Sequence, residues 1–174
     1  MHKIISLFMR DYGGTRLVFD EVVPGAEWVI NGEGVATRKW DGTCCRVLNG
    51  ELYRRHVVKE GRPVPAGWIH WSDDPGQLSG HGWLPVTDSP SDQYHSEAWK
   101  LASGVELPNG TYELCGPRVQ KNPEGFGQHE LVRHGAHPLG ADPRDFDAIG
   151  SYLERTDIEG IVWHHPDGRM VKIK

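Results

Sequence analysis

Val35-Ala36-Thr37-Arg38-Lys39-Trp40-Asp41-Gly42-Thr43-Cys44-Cys45-Arg46-Val47-Leu48 is the stretch on which the reading of the fold turns. Val35 to Trp40 reads as a strand and Cys44 to Leu48 as a second, with Asp41-Gly42 as a strong turn signal between them. Asn49-Gly50 is another such signal and leads into a third run, Glu51 to Val58. Residues 35–58 are therefore expected to form a three-strand meander.

Outward from this stretch, residues 61–91 are rich in Pro, Gly, Ser and Asp and read as a long surface excursion held down by Trp68, Trp71 and Trp83. Ser91 to Ala102 has helical spacing, with Tyr94, Ala98, Trp99 and Leu101 on one stripe and Ser91 as the expected cap. A strand is expected at Thr111–Cys115 after Asn109-Gly110, and a helix at Pro143–Leu153 capped by Asp142, with proline in its first turn. The chain closes with a strand Gly160–Trp163, a turn Pro166-Asp167-Gly168 and a strand Arg169–Lys174. The pattern is α+β, with mostly antiparallel sheets packed with helices.

Composition bounds the function. The chain has 174 residues, a net charge of −5 and a pI near 6.0. Binding to nucleic acid through bulk positive charge is excluded, so any such partner must be held by a local basic groove. Three cysteines, two of them adjacent, argue against a disulfide framework and for a reducing, cytoplasmic setting. The apolar residues near the N-terminus are too few for a signal peptide, and no run reaches the roughly 20 apolar residues of a membrane span.

Four pieces carry chemistry. Lys39-Trp40-Asp41-Gly42 sets a lysine at the end of a strand, just before a tight turn. Such an amine is a nucleophile only when neutral, and its ordinary pKa is about 10.4, so neighbours must deprotonate it. Tyr112-Glu113-Leu114-Cys115 lies on a strand of period two, so Glu113 and Cys115 share one face. Asp157-Ile158-Glu159-Gly160-Ile161-Val162-Trp163 places a carboxylate at the start of an apolar strand, where it can bind a divalent metal. Val171-Lys172-Ile173-Lys174 sets two ammonium groups on one face, where a polyphosphate would relieve their repulsion. Each piece alone also fits a bland reading, as a solvated hairpin, a surface carboxylate or a lysine-protected edge strand.

Their order is more specific than any one of them. Lys-x-Asp-Gly, a strand glutamate, Glu-Gly-Ile-Val and Lys-Ile-Lys, in that sequence, resemble the covalent nucleotidyltransferase superfamily of ATP- and NAD-dependent DNA ligases, RNA ligases and capping guanylyltransferases. Asp41-Gly42-Thr43-Cys44-Cys45, Tyr112-Glu113-Leu114-Cys115-Gly116-Pro117-Arg118-Val119-Gln120 and Glu159-Gly160-Ile161-Val162-Trp163-His164 are most similar to the ATP-dependent 5′–3′ RNA ligases of phage and animal type.

The resemblance implies a ligase adenylation domain in which Lys39 takes AMP from ATP, passes it to an RNA 5′-phosphate, and seals that end to a 3′-hydroxyl. It implies catalytic roles for Lys39, Lys172 and Lys174, with the last two neutralising phosphate charge. Glu113 would hold the ribose, and Glu159 would position magnesium or manganese. Arg54 or Arg55 would meet the ribose or the incoming 5′-phosphate, and on a strand only one of them can face the pocket. Arg38 stands where ligases often carry a smaller or acidic residue, and it is counted with the nucleotide-binding residues. The implied partners are ATP and RNA with 5′-phosphate and 3′-hydroxyl ends, with no membrane. Oligomeric state is left open.

Residues 1–174 are read as a single minimal nucleotidyltransferase domain without a C-terminal oligonucleotide-binding domain. That reading disfavours the alternatives within the same chemistry, a DNA ligase or a capping-type guanylyltransferase. Trp40 and Trp163 are the tryptophans positioned to stack on a base. Arg118, Lys121 and Arg133 are candidates for a phosphate path. His129, His134 and His137 lack a tight ligand spacing, so no structural zinc site is expected. Cys44 and Cys45 are read as strand-packing residues.

Overall fold

The computed structural model describes residues 4–72 and 77–174. In chain order it contains β1 (Ile5–Ser6), β2 (Phe8–Arg10), β3 (Val18–Val22), α1 (Glu27–Ile30), β4 (Val35–Lys39), β5 (Thr43–Leu48), β6 (Glu51–Val58), β7 (Ile69–His70), β8 (Gly80–Pro85), α2 (Gln93–Leu101), β9 (Gly110–Cys115), β10 (Glu130–Arg133), α3 (Phe146–Arg155), β11 (Gly160–His164) and β12 (Met170–Ile173). These fall into two compact units, one of Asp41–His134 and one of residues 4–40 with Gly135–Lys174. The architecture is α+β and, apart from the β1–β12 pair, antiparallel. Among the described residues no helix is long and apolar enough to cross a membrane.

The unit of residues 4–40 and Gly135–Lys174 is built on a sheet of order β1-β12-β11-β4, with a separate β2-β3 hairpin. The alternating apolar residues of its strands supply the core: Ala36, Ile161, Trp163, Val171 and Ile173 pack with Leu7, Phe8, Trp28, Val29 and, from α3, Ile149. Phe8 meets Phe146 edge to face at 5.1 Å between ring centroids. The second unit is a six-stranded sheet of order β10-β9-β5-β6-β8-β7. One of its faces packs Cys45, Val47, Leu52, Tyr112 and Leu114 against Ala98 and Trp99 of α2.

The expected meander does not form. β4 pairs with β11, whereas β5 pairs with β6 and β9. Asp41-Gly42 is therefore a passage from one sheet to another, and the glycine serves close packing there. A Cβ on Gly42 would lie 2.2 Å from the Leu114 carbonyl oxygen. Period-two patterning identifies strands but leaves their partners open, which is why local turn chemistry misled here.

Both helices begin later than their sequence signals suggest. At α2, Ser91 sits in a 3-10 turn, Pro90–Asp92, and Asp92 is the cap residue without making a side-chain cap bond. Its carboxylate instead accepts from the Thr87 amide (3.0 Å) and hydroxyl (2.9 Å). At α3 the cap is Asp145, which accepts from the Ala148 amide at 2.8 Å. Asp142, the expected cap, is engaged by Arg144 at 2.6 Å. Arg144 also donates to the carbonyls of Val29, Glu33 and Gly34, where α1 ends. The expected excursion over residues 61–91 is partly regular, because β8 continues the sheet alongside β6 and buries Trp83 completely. Within it, residues 73–76 lie outside the described residues.

Candidate active site

In the unit of residues 4–40 and Gly135–Lys174, register brings three of the expected residues together. Lys39, the last residue of β4, lies opposite Gly160, the first of β11. Glu159 therefore arrives beside Lys39, and the Lys39 Nζ donates to Glu159 Oε2. On the other side β12 pairs with β11. Just past it, the Lys174 Nζ donates to Glu159 Oε1 at 2.8 Å. One carboxylate is thus held between two ammonium groups. Burial alone would raise the Glu159 carboxyl, but the hydrogen bonds from Lys174 and Lys39 outweigh it and hold it below the usual carboxylate range.

Gly160 makes this convergence possible. A Cβ there would lie 2.1 Å from the Ile173 carbonyl oxygen, so only glycine lets β11 and β12 approach at this point. Val171 and Ile173 are buried on the opposite face of β12, which turns Lys172 to the same side as Lys174. The three lysines and one glutamate leave an excess of positive charge, suited to a polyanion.

Arg38 is directed elsewhere. Its guanidinium stacks over Trp40 at 4.3 Å and donates to the Asp157 carbonyl at 3.2 Å. Trp40 also meets His137 edge-on at 5.3 Å. Trp163 is completely buried and donates weakly to Asp142 at 3.4 Å, so it is a core residue and cannot stack on a base.

The six-stranded sheet places the remaining candidates. Glu113 on β9 faces Cys44 on β5 as a register partner. His134, just past β10, donates or accepts at Glu113 Oε2 over 2.8 Å through Nε2, and at Thr111 Oγ1 over 2.9 Å through Nδ1. The Cys44 Sγ, a Glu113 carboxylate oxygen and a His134 ring nitrogen all lie within 4.8 Å of one another. Cys45, one residue on, points into the core, where burial pushes its thiol well up.

Register also separates the two arginines. Arg54 lies opposite Cys45, whereas Tyr53 lies opposite Arg46. Arg54 therefore shares the buried face, where its Nε pairs with Asp92 Oδ1 at 2.7 Å. Burial would raise the Asp92 carboxyl, but the Thr87 hydrogen bonds and the Arg54 charge keep it low. Arg55 takes the face of Tyr53 and Arg46, which through β5 and β9 is the face of Glu113, and it is exposed. Arg118, Lys121 and Arg133 are all exposed. The turn after β9 runs through three successive left-handed residues, Gln120, Lys121 and Asn122, at φ of 45°, 65° and 57°.

A family model described as RNA ligase 1 matches residues 100–174, the part that carries Glu113, His134, Glu159, Lys172 and Lys174. The chain is 30% identical to RNA ligase 1 of Danio rerio, in a match covering 79% of this chain and 65% of that protein. It is 28% identical to RNA ligase 1 of Rattus norvegicus and of Mus musculus, over 80% of this chain and 65% of each relative. The chain is therefore similar to RNA ligases of this family. It spans about 65% of the length of these curated relatives.

Two features of the site carry little signal in the sequence. His134 lacks a tight ligand spacing in the sequence, yet three adjacent strands bring it to Glu113 and Cys44. The Arg54–Asp92 pair was also missed, because nothing in an isolated arginine indicates that a buried carboxylate awaits it. The one available signal was alternation: Cys44 and Cys45 must face opposite ways, so only one of them can pack in the core.

Proposed function

We propose that this chain is an ATP-dependent RNA ligase that works through a lysyl-AMP intermediate on Lys39. The observation that carries the reading is the convergence of Lys39 and Lys174 on the single carboxylate of Glu159. A lysine ammonium is inert, so the nucleophile must lose its proton before it attacks. The Lys39 Nζ then bonds to the α-phosphorus of ATP, the bond from that phosphorus to the bridging oxygen breaks, and pyrophosphate leaves with its electron pair. Lys172 on β12 and Lys174 just past it turn to the same side, where their charges would stabilise the phosphate oxygens as negative charge builds.

In the second step an oxygen of the RNA 5′-phosphate attacks the α-phosphorus and the phosphorus–nitrogen bond breaks, returning Lys39. In the third, a 3′-hydroxyl attacks the RNA 5′-phosphorus, loses its proton, and expels AMP. Adenylation supplies the leaving group, so the protein's work is alignment and charge neutralisation. Glu113 would accept from the ribose hydroxyls, and Arg55 is the arginine that shares its face.

Magnesium or manganese fits the donor set as a cation held by Glu159 together with phosphate oxygens, since such ions use one or two carboxylates and complete their shell from substrate. When bound it would supply further neutralisation of the triphosphate. The test is to mix the chain with ATP labelled at the α-phosphate and magnesium or manganese, denature it, and look for retained label. Label on the wild type and none on Lys39→Ala is the expected result. Absence of label on initially unmodified wild type, with ATP and with GTP, overturns the reading. Preference for GTP moves the chain to the capping type.

A further inference from the structure

The six-stranded sheet carries a cluster of which the ligase reading uses Glu113 alone. Cys44, Glu113 and His134 come from three neighbouring segments, and their donor atoms lie within 4.8 Å of one another. The cluster sits on the polar side of the sheet, with the side chains of Glu113 and His134 13% and 25% exposed, so it is enclosed yet reachable. Strand register fixes two of the three positions: Cys44 stands directly across from Glu113, and Glu113 directly across from Val132, two residues before His134. The His134 amide also donates to the Thr111 carbonyl at 3.1 Å, which extends the β9–β10 pairing to the histidine itself.

The histidine is oriented as a metal ligand is. One ring nitrogen is held by the Thr111 hydroxyl at 2.9 Å, which leaves the other to point at the carboxylate. A hydrogen-bond partner on the far ring nitrogen is the usual device for fixing a metal-binding imidazole, and the Thr111 hydroxyl serves as that partner here. The donor set also selects the ion. Thiolate, imidazole and carboxylate together favour zinc and its neighbours in the transition series, and disfavour magnesium and calcium, which take oxygen ligands.

We propose that Cys44 Sγ, Glu113 carboxylate and His134 Nε2 together bind one zinc-type divalent cation, with a water or substrate atom in the fourth position. Tetrahedral zinc with bonds of about 2.0–2.3 Å needs donor atoms about 3.3–3.8 Å apart. Donor atoms within 4.8 Å of one another reach this by side-chain adjustment, which includes opening the 2.8 Å His134–Glu113 contact slightly. The thiol proton passes to solvent as the sulfur binds. The cation would use one oxygen of Glu113. This inference does not rest on the ligase reading, since its ligands and its test involve the metal alone.

The experiment uses the untagged full chain, stripped with a chelator, dialysed, and titrated with cobalt(II) in excess magnesium. One equivalent of cobalt should give a sulfur-to-cobalt charge-transfer band in the near ultraviolet and the visible bands of a four-coordinate ion, and zinc should displace it. Cys44→Ser should lose the ultraviolet band, and His134→Gln should lose the visible bands. His81→Gln, an exposed histidine outside the cluster, should keep both. Thr111→Val, which removes only the outer-shell hydroxyl, should weaken zinc binding by about 10–100-fold. Folding of each variant is checked by circular dichroism. A folded wild type that gives no charge-transfer band overturns the proposal, as does a band that survives unchanged in folded Cys44→Ser.

Discussion

The two units each centre on a glutamate, and they surround it with opposite chemistry. Glu159 lies between the ammonium groups of Lys39 and Lys174, with Lys172 on the same face of β12. Glu113 meets an imidazole and faces a thiol. The first arrangement carries more positive charge than its carboxylate can neutralise and therefore attracts anions. The second offers uncharged and negative donors and therefore attracts a cation or hydroxyl groups. A glutamate on or beside a strand is thus defined by what the neighbouring strands deliver to it, and the same residue type serves two electrostatic purposes in one chain.

The largest test of this contrast removes charge from the first cluster. Lys174→Ala should slow lysyl-AMP formation by about 100-fold or more, the scale of losing one charge-stabilising donor at a reacting phosphate. Because Lys174 is 55% exposed, stability should change by no more than about 0.5 kcal/mol. Single-turnover labelling and urea unfolding, done on the same preparation, check both halves. A rate loss matched by a collapse in stability would make Lys174 a structural residue instead.

The arginines sharpen the comparison within one strand. Arg54→Ala leaves Asp92, whose side chain is only 3% exposed, without its ionic partner, and should cost about 3 kcal/mol. Arg55→Ala should change stability by less than about 0.5 kcal/mol and act instead on the transfer of AMP to RNA. Urea midpoints read the first effect and transfer from preformed lysyl-AMP reads the second. Equal stability losses for the two variants would break the assignment of opposite faces.

Next in size are the two glycines that stand beside the two clusters. A Cβ would lie 2.2 Å from the Leu114 carbonyl oxygen at Gly42 and 2.1 Å from the Ile173 carbonyl oxygen at Gly160. Gly42→Ala and Gly160→Ala should each destabilise by about 1–3 kcal/mol through forced strand separation. Gly160→Ala should in addition slow adenylation, because it displaces Glu159 from Lys39. Thermal unfolding and the labelling assay separate these effects.

Much of this was legible from the sequence because it depends on period. Strand alternation located β4, β5, β6, β9 and β11 closely, and it put Val171 and Ile173 inside and both lysines outside. The order of the motifs indicated Lys39, Glu159 and Lys174 as a set. Partnership was harder to read. The passage at Asp41-Gly42 looks locally like a hairpin, and only the non-local pairing of β4 with β11 shows otherwise. Helix starts shifted by a few residues because Ser91 is taken up in the 3-10 turn Pro90–Asp92 and because Asp142 found a partner in Arg144. His134 carried no signal, since its separation of 21 positions from Glu113 matches no ligand spacing and closeness arises from sheet register alone.

The smallest expected effect concerns acid. Glu159 ionises below the usual carboxylate range when folded: burial opposes this, but the hydrogen bonds from Lys174 and Lys39 prevail. At neutral pH the carboxyl is ionised in both folded and unfolded chains, and the stabilisation is fully present. As pH falls through the usual carboxylate range the unfolded chain takes up its proton first, so stability declines. The decline ends only when the folded carboxyl is protonated too, at a pH below that range. Glu159→Gln should therefore cost stability near neutral pH, by no more than about 1 kcal/mol because the lysines remain partly solvated, and cost progressively less in acid. Asp92→Asn should follow the same sign for a different reason, since Thr87 and Arg54 hold that carboxyl low. Urea unfolding of wild type and both variants across the acid range gives the two difference curves. A Glu159→Gln penalty that stays constant with pH would mean that the two lysines do not stabilise the carboxylate in solution, and the contrast between the anion-seeking and cation-seeking clusters would lose its electrostatic basis.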